Sequence, residues 1–271
     1  MDNKKRGFTF IEMAVVLLII ALLAGGITVG RTLLRNAKLQ TVVKEYTLYL
    51  QAIGEFKEKY NSLPGDFTDA TAMWGTDGAC PNTTYIAAPL TSSITCNGDG
   101  NGHVGDSTNA GAVSDYDEWW RFWHHLSLAY LIDGRYTGRT GTNGATHAVP
   151  GLNVPNSEFI PGGWSLIFYQ LTTADGGNWY RETTDGGYGH ILVFGAQTTT
   201  SYTYSGIMQP SDALDIDSKF DDGKPGLGKI RTLRNGVALP NCTTNDTSQS
   251  NQTYNTTIKS DTCSLIFLTG M

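Results

Sequence analysis

Charge is scarce in this sequence: only 16% of its 271 residues are Asp, Glu, Lys or Arg. The basic sign is the rarer one, 19 Lys and Arg against 25 Asp and Glu, for a net charge of −6. No basic stripe interleaved with aromatics occurs, which argues against a phosphate-tracking surface and against nucleic acid as a partner. Cysteine is limited to Cys80, Cys96, Cys242 and Cys263. None falls in a Cys-x-x-Cys pair, so zinc-ribbon and redox readings lack their spacing. G-x-S-x-G, the P-loop lysine motif and His-Glu-x-x-His are all missing, and nothing supports an enzyme. Gly98, Gly100, Gly102 and Gly105 superficially match a dinucleotide loop, but no strand leads in and no helix follows directly. Few charges with many Gly, Thr, Asn and Ser residues read as a loop-rich, β-containing exported domain.

What is present begins with a short leader of opposite sign to the body. Lys4, Lys5 and Arg6 against Asp2 leave the first seven residues at +2, so the remainder of a chain of net charge −6 carries −8. Met13–Val29 then forms an uncharged apolar run that, with Phe8, Phe10 and Ile11, is long enough to span a bilayer. The positive leader orients it with the N-terminus in the cytoplasm and the body outside. An ordinary secretory signal, with Ala24-Gly25-Gly26 as its cleavage site, and a plain signal anchor both predict such a run. Neither accounts for Glu12. An unpaired carboxylate in hydrocarbon costs several kcal/mol, which makes it a functional candidate.

Gly7-Phe8-Thr9-Phe10-Ile11-Glu12, with the basic leader before it and the apolar run after it, resembles the prepilin cleavage and methylation motif of type IV pilins and pseudopilins. The resemblance implies cleavage between Gly7 and Phe8 by a prepilin peptidase, then methylation of the new Phe8 amine. In a packed helical bundle, Glu12 of one subunit then pairs with the Phe8 amine of its neighbour, compensating both charges and setting axial register. The implied partners are the peptidase, other pilin subunits and an inner-membrane assembly platform. The implied location is the inner membrane, followed by a periplasmic pseudopilus or a cell-surface pilus.

Past Gly30 the pattern becomes amphipathic. Leu39, Val42, Tyr46, Tyr49, Ile53, Phe56 and Tyr60 step by three and four along one face, while Lys38, Lys44, Glu45, Glu55, Lys57, Glu58 and Lys59 fall off it. One helix from Phe8 to about Tyr60, ended by Pro64-Gly65, is expected. Gly25, Gly26 and Gly30 either loosen its middle or permit close helix packing. The chain thus divides into a leader (1–7), a membrane and assembly half (8–29), an amphipathic half (30–62) and a soluble head (63–271). A second helix is expected over Tyr116–Asp133, started by Ser114 or Asp115 and stopped by Gly134, with Trp119, Trp123, Leu126 and Tyr130 on its core face. His124-His125 reads as partly exposed packing. Strands are expected at Trp164–Leu171, His190–Gly195 and Cys263–Leu268. The fold class is α+β and pilin-like: the long helix packs on a head with a second helix and an antiparallel sheet.

An even cysteine count in an exported chain points to disulfides. Three connectivities are possible, and the sequence-local one, Cys80–Cys96 with Cys242–Cys263, is favoured because both pairs bracket Thr- and Asn-rich loops. The second pair matches in position the loop that type IV pilins expose, and its TTNDTSQSNQTYNTT content reads as solvent-facing. Two acidic loops have a cation reading. Asn97, Asp99 and Asn101, followed by Gly102, match the start of an EF-type calcium loop, but Thr108 stands where Glu is needed and Asp106 is the substitute. A tight Asn/Gly turn is the alternative. Asp215, Asp217, Asp221 and Asp222 pose the same choice, with a turn preferred. The cysteine-bounded loop favours a pilin and the size favours a minor one, whereas a calcium site resembles what major pseudopilins use. A membrane-tethered binding or adhesion module that never polymerises is the alternative from another class.

Overall fold

The structure is a computed structural model that describes residues 7–78, 80, 93–105, 118–141, 147–158, 162–169, 189–199, 201–233, 241–244 and 251–271. Helix α1 runs unbroken over Phe10–Tyr60, 51 residues, or about 76 Å at the α-helical rise. It starts two residues later than expected because Thr9, in extended backbone at φ −78°, serves as its N-cap. It ends where Asn61 adopts a left-handed conformation at φ 51° and its amide bonds Lys57 O. The predicted stripe is the face that packs. Leu39, Val42, Tyr49, Ile53 and Phe56 are buried and Tyr46 and Tyr60 are half-buried, while Lys38, Lys44, Glu55 and Lys57–Lys59 are exposed.

That face lies on an antiparallel sheet of order β1-β2-β4-β3. Its strands are β1 (Gly162–Tyr169), β2 (Gly189–Ala196), β3 (Ile230–Arg231) and β4 (Leu265–Leu268). Register places Trp164, Phe194 and Leu265 in one row, and Leu166, Leu192 and Phe267 in the next. Opposed residues share a face, so these six form the surface toward α1. Tyr46 stacks on Phe267 at 4.7 Å, Tyr49 meets Trp164 edge-on at 5.6 Å, and the Tyr46 hydroxyl donates to Leu268 O at 2.8 Å. Ser165, Ile167, Ile191, Val193 and Ile266 on the reverse face are buried too. Thr203 covers part of that side, donating to Gly163 O and Val193 O.

Helix α3 (Glu118–Leu128) fills the space beside α1 and β1. It is shorter than expected; residues 114–117 lie outside the described part. Trp119, Trp123 and Leu126 are buried as anticipated, but so is every residue from Glu118 to Leu126. The helix is enclosed on all sides, and His124 and His125 are therefore core residues rather than partly exposed. Tyr130 is 93% exposed because the helix has ended and φ there is 59°. The short helix α2 (Ala70–Trp74), helix α4 (Pro210–Phe220) and β3 were not anticipated. Helix α4 begins with Pro210 at its first turn and buries Ala213, Ile216 and Asp217. Its Asp212 forms an ion pair with Arg35 of α1.

Candidate functional site

The N-terminal candidates sit at the tip of α1. Thr9 and Glu12 cap the helix reciprocally: the Glu12 amide donates to Thr9 Oγ1 at 3.4 Å, while Glu12 Oε2 accepts from Thr9 N and from Thr9 Oγ1, each at 2.8 Å. Phe8, Phe10 and Ile11 stand 82%, 92% and 71% exposed. From Gly7 to Lys38 no described side chain is buried. A Cβ added at Gly25, Gly26 or Gly30 would meet nothing within 4 Å, so any contact these glycines permit lies outside the monomer. Exposed apolar surface of this length is far beyond what a free soluble chain carries, and it marks a membrane or assembly surface.

Residues 2–28 match the family model described as the prokaryotic N-terminal methylation motif. The chain has a prepilin-type N-terminus. No curated protein and no solved structure matches the chain. The prepilin-type motif is the signature of type IV pilins and pseudopilins, structural proteins that are processed by prepilin peptidase and assemble with other subunits. The apolar half of α1 belongs to a helix long and apolar enough to cross a membrane, and with the motif it points to membrane anchoring.

In the head, the cysteines pair as Cys80–Cys96 and Cys242–Cys263, with Cα–Cα distances of 5.5 and 5.0 Å. The second pair bounds a segment that is only partly surface. Thr243, Gln252 and Tyr254 are buried, contrary to the solvent-facing expectation, and Tyr254 donates its hydroxyl to Asp217 at 2.8 Å. Residues 245–250 lie outside the described part.

The calcium-like loop is reorganised relative to its sequence pattern. Asn97 Oδ1 accepts from the Thr71 amide at 2.8 Å, tying the loop to α2, and Asn101 Oδ1 accepts from the His103 amide at 2.7 Å, a local turn contact. Asp106 is outside the described residues. Asp99 instead converges with Asp66, from the turn after α1, and Glu118, the first residue of α3, each offering an oxygen within 4.8 Å of the others. Glu118 accepts from the Asp99 amide at 2.9 Å and the Gly105 amide at 3.2 Å. Asp66 Oδ2 accepts from the Gly102 amide at 3.0 Å. Burial pushes Glu118 up to about 8 against those amide bonds, and the neighbouring Asp66 and Asp99 charges add to the rise. Burial also raises Asp66. Neither Asp66 nor Glu118 belongs to the local loop pattern, and only the fold brings them there.

In the second acidic group Asp217, Asp221 and Asp222 converge without Asp215. Asp217 holds Tyr254 and the Gly223 amide, Asp221 Oδ2 accepts from the Lys229 and Ile230 amides, and Asp222 accepts from the Lys224 amide. These carboxylates fasten the end of α4 to β3 and to the C-terminal disulfide segment.

His124 and His125 are packed in the core. His125 Nδ1 accepts from the Gly65 amide at 3.0 Å, leaving Nε2 toward Thr95 Oγ1 and Cys96 O. Burial holds its pKa well below the ordinary histidine range. Glu45, off the apolar stripe, accepts from Trp164 Nε1 at 2.6 Å and from the Glu158 amide at 3.1 Å, which docks α1 onto β1.

Proposed function

We propose that this chain is a structural subunit of a type IV pilus-like filament, a minor pilin, cut after Gly7, methylated on Phe8 and assembled through α1. The observation that carries the reading is the combination at the tip of α1: a prepilin motif over residues 2–28 on a helix whose apolar side chains stay exposed until Leu39. A soluble head that packs only the C-terminal half of α1 leaves the other half for the bilayer first and for neighbouring helices afterwards.

Glu12 supports the same reading. In the single chain it satisfies itself by bonding Thr9, which lowers the cost of a carboxylate at the bilayer. Cleavage frees a cationic amine at Phe8, and a neighbour's amine is a stronger partner for Glu12 than an uncharged amide and hydroxyl. Exchange of the internal cap for an intersubunit ion pair then fixes the axial register of each incoming subunit. The intact leader blocks this, since Phe8 N is then an uncharged peptide amide and the chain carries Lys4, Lys5 and Arg6 ahead of it.

The test is intact mass and N-terminal sequence of the protein from sheared surface filaments. A chain starting at N-methylated Phe8 is expected there. A processed chain found only inside the envelope indicates a secretion pseudopilus instead. A chain starting at Met1, or near Gly26 and confined to membranes or periplasm, overturns the filament reading.

A further inference from the structure

We propose that Asp66, Asp99 and Glu118 form a binding site for a divalent cation of the calcium class, which clamps three separate parts of the head together. Nothing in the site depends on filament assembly. Asp66 comes from the turn after α1, Asp99 from the loop that follows the first disulfide, and Glu118 from the N-terminus of α3. The loop is pressed onto the turn: Gly98 donates to Phe67 O at 2.9 Å, and a Cβ at Gly98 would collide with the Asp66 main chain.

Three carboxylates this close repel one another, and Asp66 and Glu118 are 3% and 6% exposed. Among the described residues, the hydrogen bonds they and Asp99 accept come from neutral donors, the amides of Asp99, Gly100, Asn101, Gly102 and Gly105 and the Asn101 side chain. An independent observation points to a ligand: Asp66 Oδ1 is buried and has no hydrogen-bond partner among the described residues, and the side chain that this carboxyl approaches is another acid, Asp99. A buried, unsatisfied carboxylate oxygen costs several kcal/mol, and a cation at the convergence point removes that cost.

The donors are all oxygen, which suits a hard cation and not zinc. One oxygen from each of the three residues lies within 4.8 Å of the others, close enough to share one ion; three carboxylates supplied by the protein suit calcium, whereas magnesium demands a near-ideal octahedron and is usually held by one or two. The Asp217, Asp221 and Asp222 group differs. None of its carboxylate oxygens is both buried and unpartnered, as Asp66 Oδ1 is, so it serves as an internal control.

The experiment uses the full chain in detergent micelles after chelator treatment. Terbium(III) is titrated in while its luminescence is read on tryptophan excitation, because the Trp119 indole lies against Gly105 of the same loop. Calcium and magnesium are then added as competitors. Expected are saturable luminescence, displacement by calcium at lower concentration than by magnesium, and a higher melting temperature with calcium. Asp99→Asn, an exposed site whose fold is checked by circular dichroism, is expected to weaken calcium binding at least about tenfold. Glu118→Gln should do the same, and Asp222→Asn should leave binding unchanged. No luminescence gain and no melting shift at millimolar calcium, or undiminished binding by Asp99→Asn, overturns the site. Preferential displacement by magnesium overturns its assignment to the calcium class.

Discussion

At the scale of single residues, three positions carry distinct consequences. Glu12 bonds only Thr9 within its own chain, so its removal should leave the monomer intact. Glu12→Ala is expected to insert in the membrane and lose its leader as the parent does, yet to be absent from sheared filaments when both are probed by immunoblot. Gly65 occupies φ 88°, and a Cβ there would stand 2.7 Å from Glu118 O. Gly65→Ala combines left-handed strain with a backbone clash and should cost about 2–4 kcal/mol in urea unfolding. His190 is enclosed at the end of the sheet, its Nε2 accepting from the Val104 amide at 3.0 Å, and burial lowers its pKa to about 4. An unfolded histidine titrates near 6.5. Between those values the unfolded chain binds a proton that the folded chain excludes, so stability is full above pH ~6.5 and falls as pH drops toward ~4, by about 3 kcal/mol for this group. Urea unfolding at stepped pH should show that acid limb, and His190→Gln should flatten it by one proton while lowering stability at neutral pH.

At the scale of elements, α1 shows how far periodicity reaches. Its stripe from Leu39 to Tyr60 was readable because a helix docked on one sheet buries every third or fourth residue. The same logic misjudged α3, since a helix enclosed on all sides buries Arg121, His124 and His125 along with its apolar face. Those polar residues are accommodated by hydrogen bonds to Asn97 O, Thr95 and the Gly65 amide, which no pattern along the helix announces. Helix α4 went unseen because Asp215, Asp217, Asp221 and Asp222 read as a turn cluster, although Asp217 lies within the helix and holds Tyr254, and Asp212 of the same helix pairs with Arg35. The disulfide Cys242–Cys263 closes a segment with a sequence separation of 21. Replacing both cysteines by serine should cost about 3 kcal/mol, visible as a lower urea midpoint, with any remaining effect of reducing agent coming from Cys80–Cys96.

On the scale of the whole molecule, the chain is two objects joined in one helix. The head's core begins at Leu39, and the residues before it contribute no buried side chain among those described. A chain beginning at Gly30 is therefore expected to be monomeric without detergent and to melt within a few degrees of the full chain in micelles, by size exclusion and circular dichroism. The full chain without detergent should aggregate through its exposed apolar half. Loss of the melting transition in the shortened chain would show that the membrane half supports the head.

The sequence by itself determined what depends on near neighbours: the leader's charge, the apolar run, the Glu12 anomaly, the helical stripe, three strands close to their observed limits, and both disulfide pairs. Each is local in the chain or periodic along one element. Tertiary structure alone decided which carboxylates meet. Asp66 and Glu118 join Asp99 only because the turn after α1 and the start of α3 are packed against one loop, while Asn97 and Asn101, adjacent to it in sequence, turn to the backbone instead. Convergence of distant segments is a property of packing, and a local pattern carries no record of it.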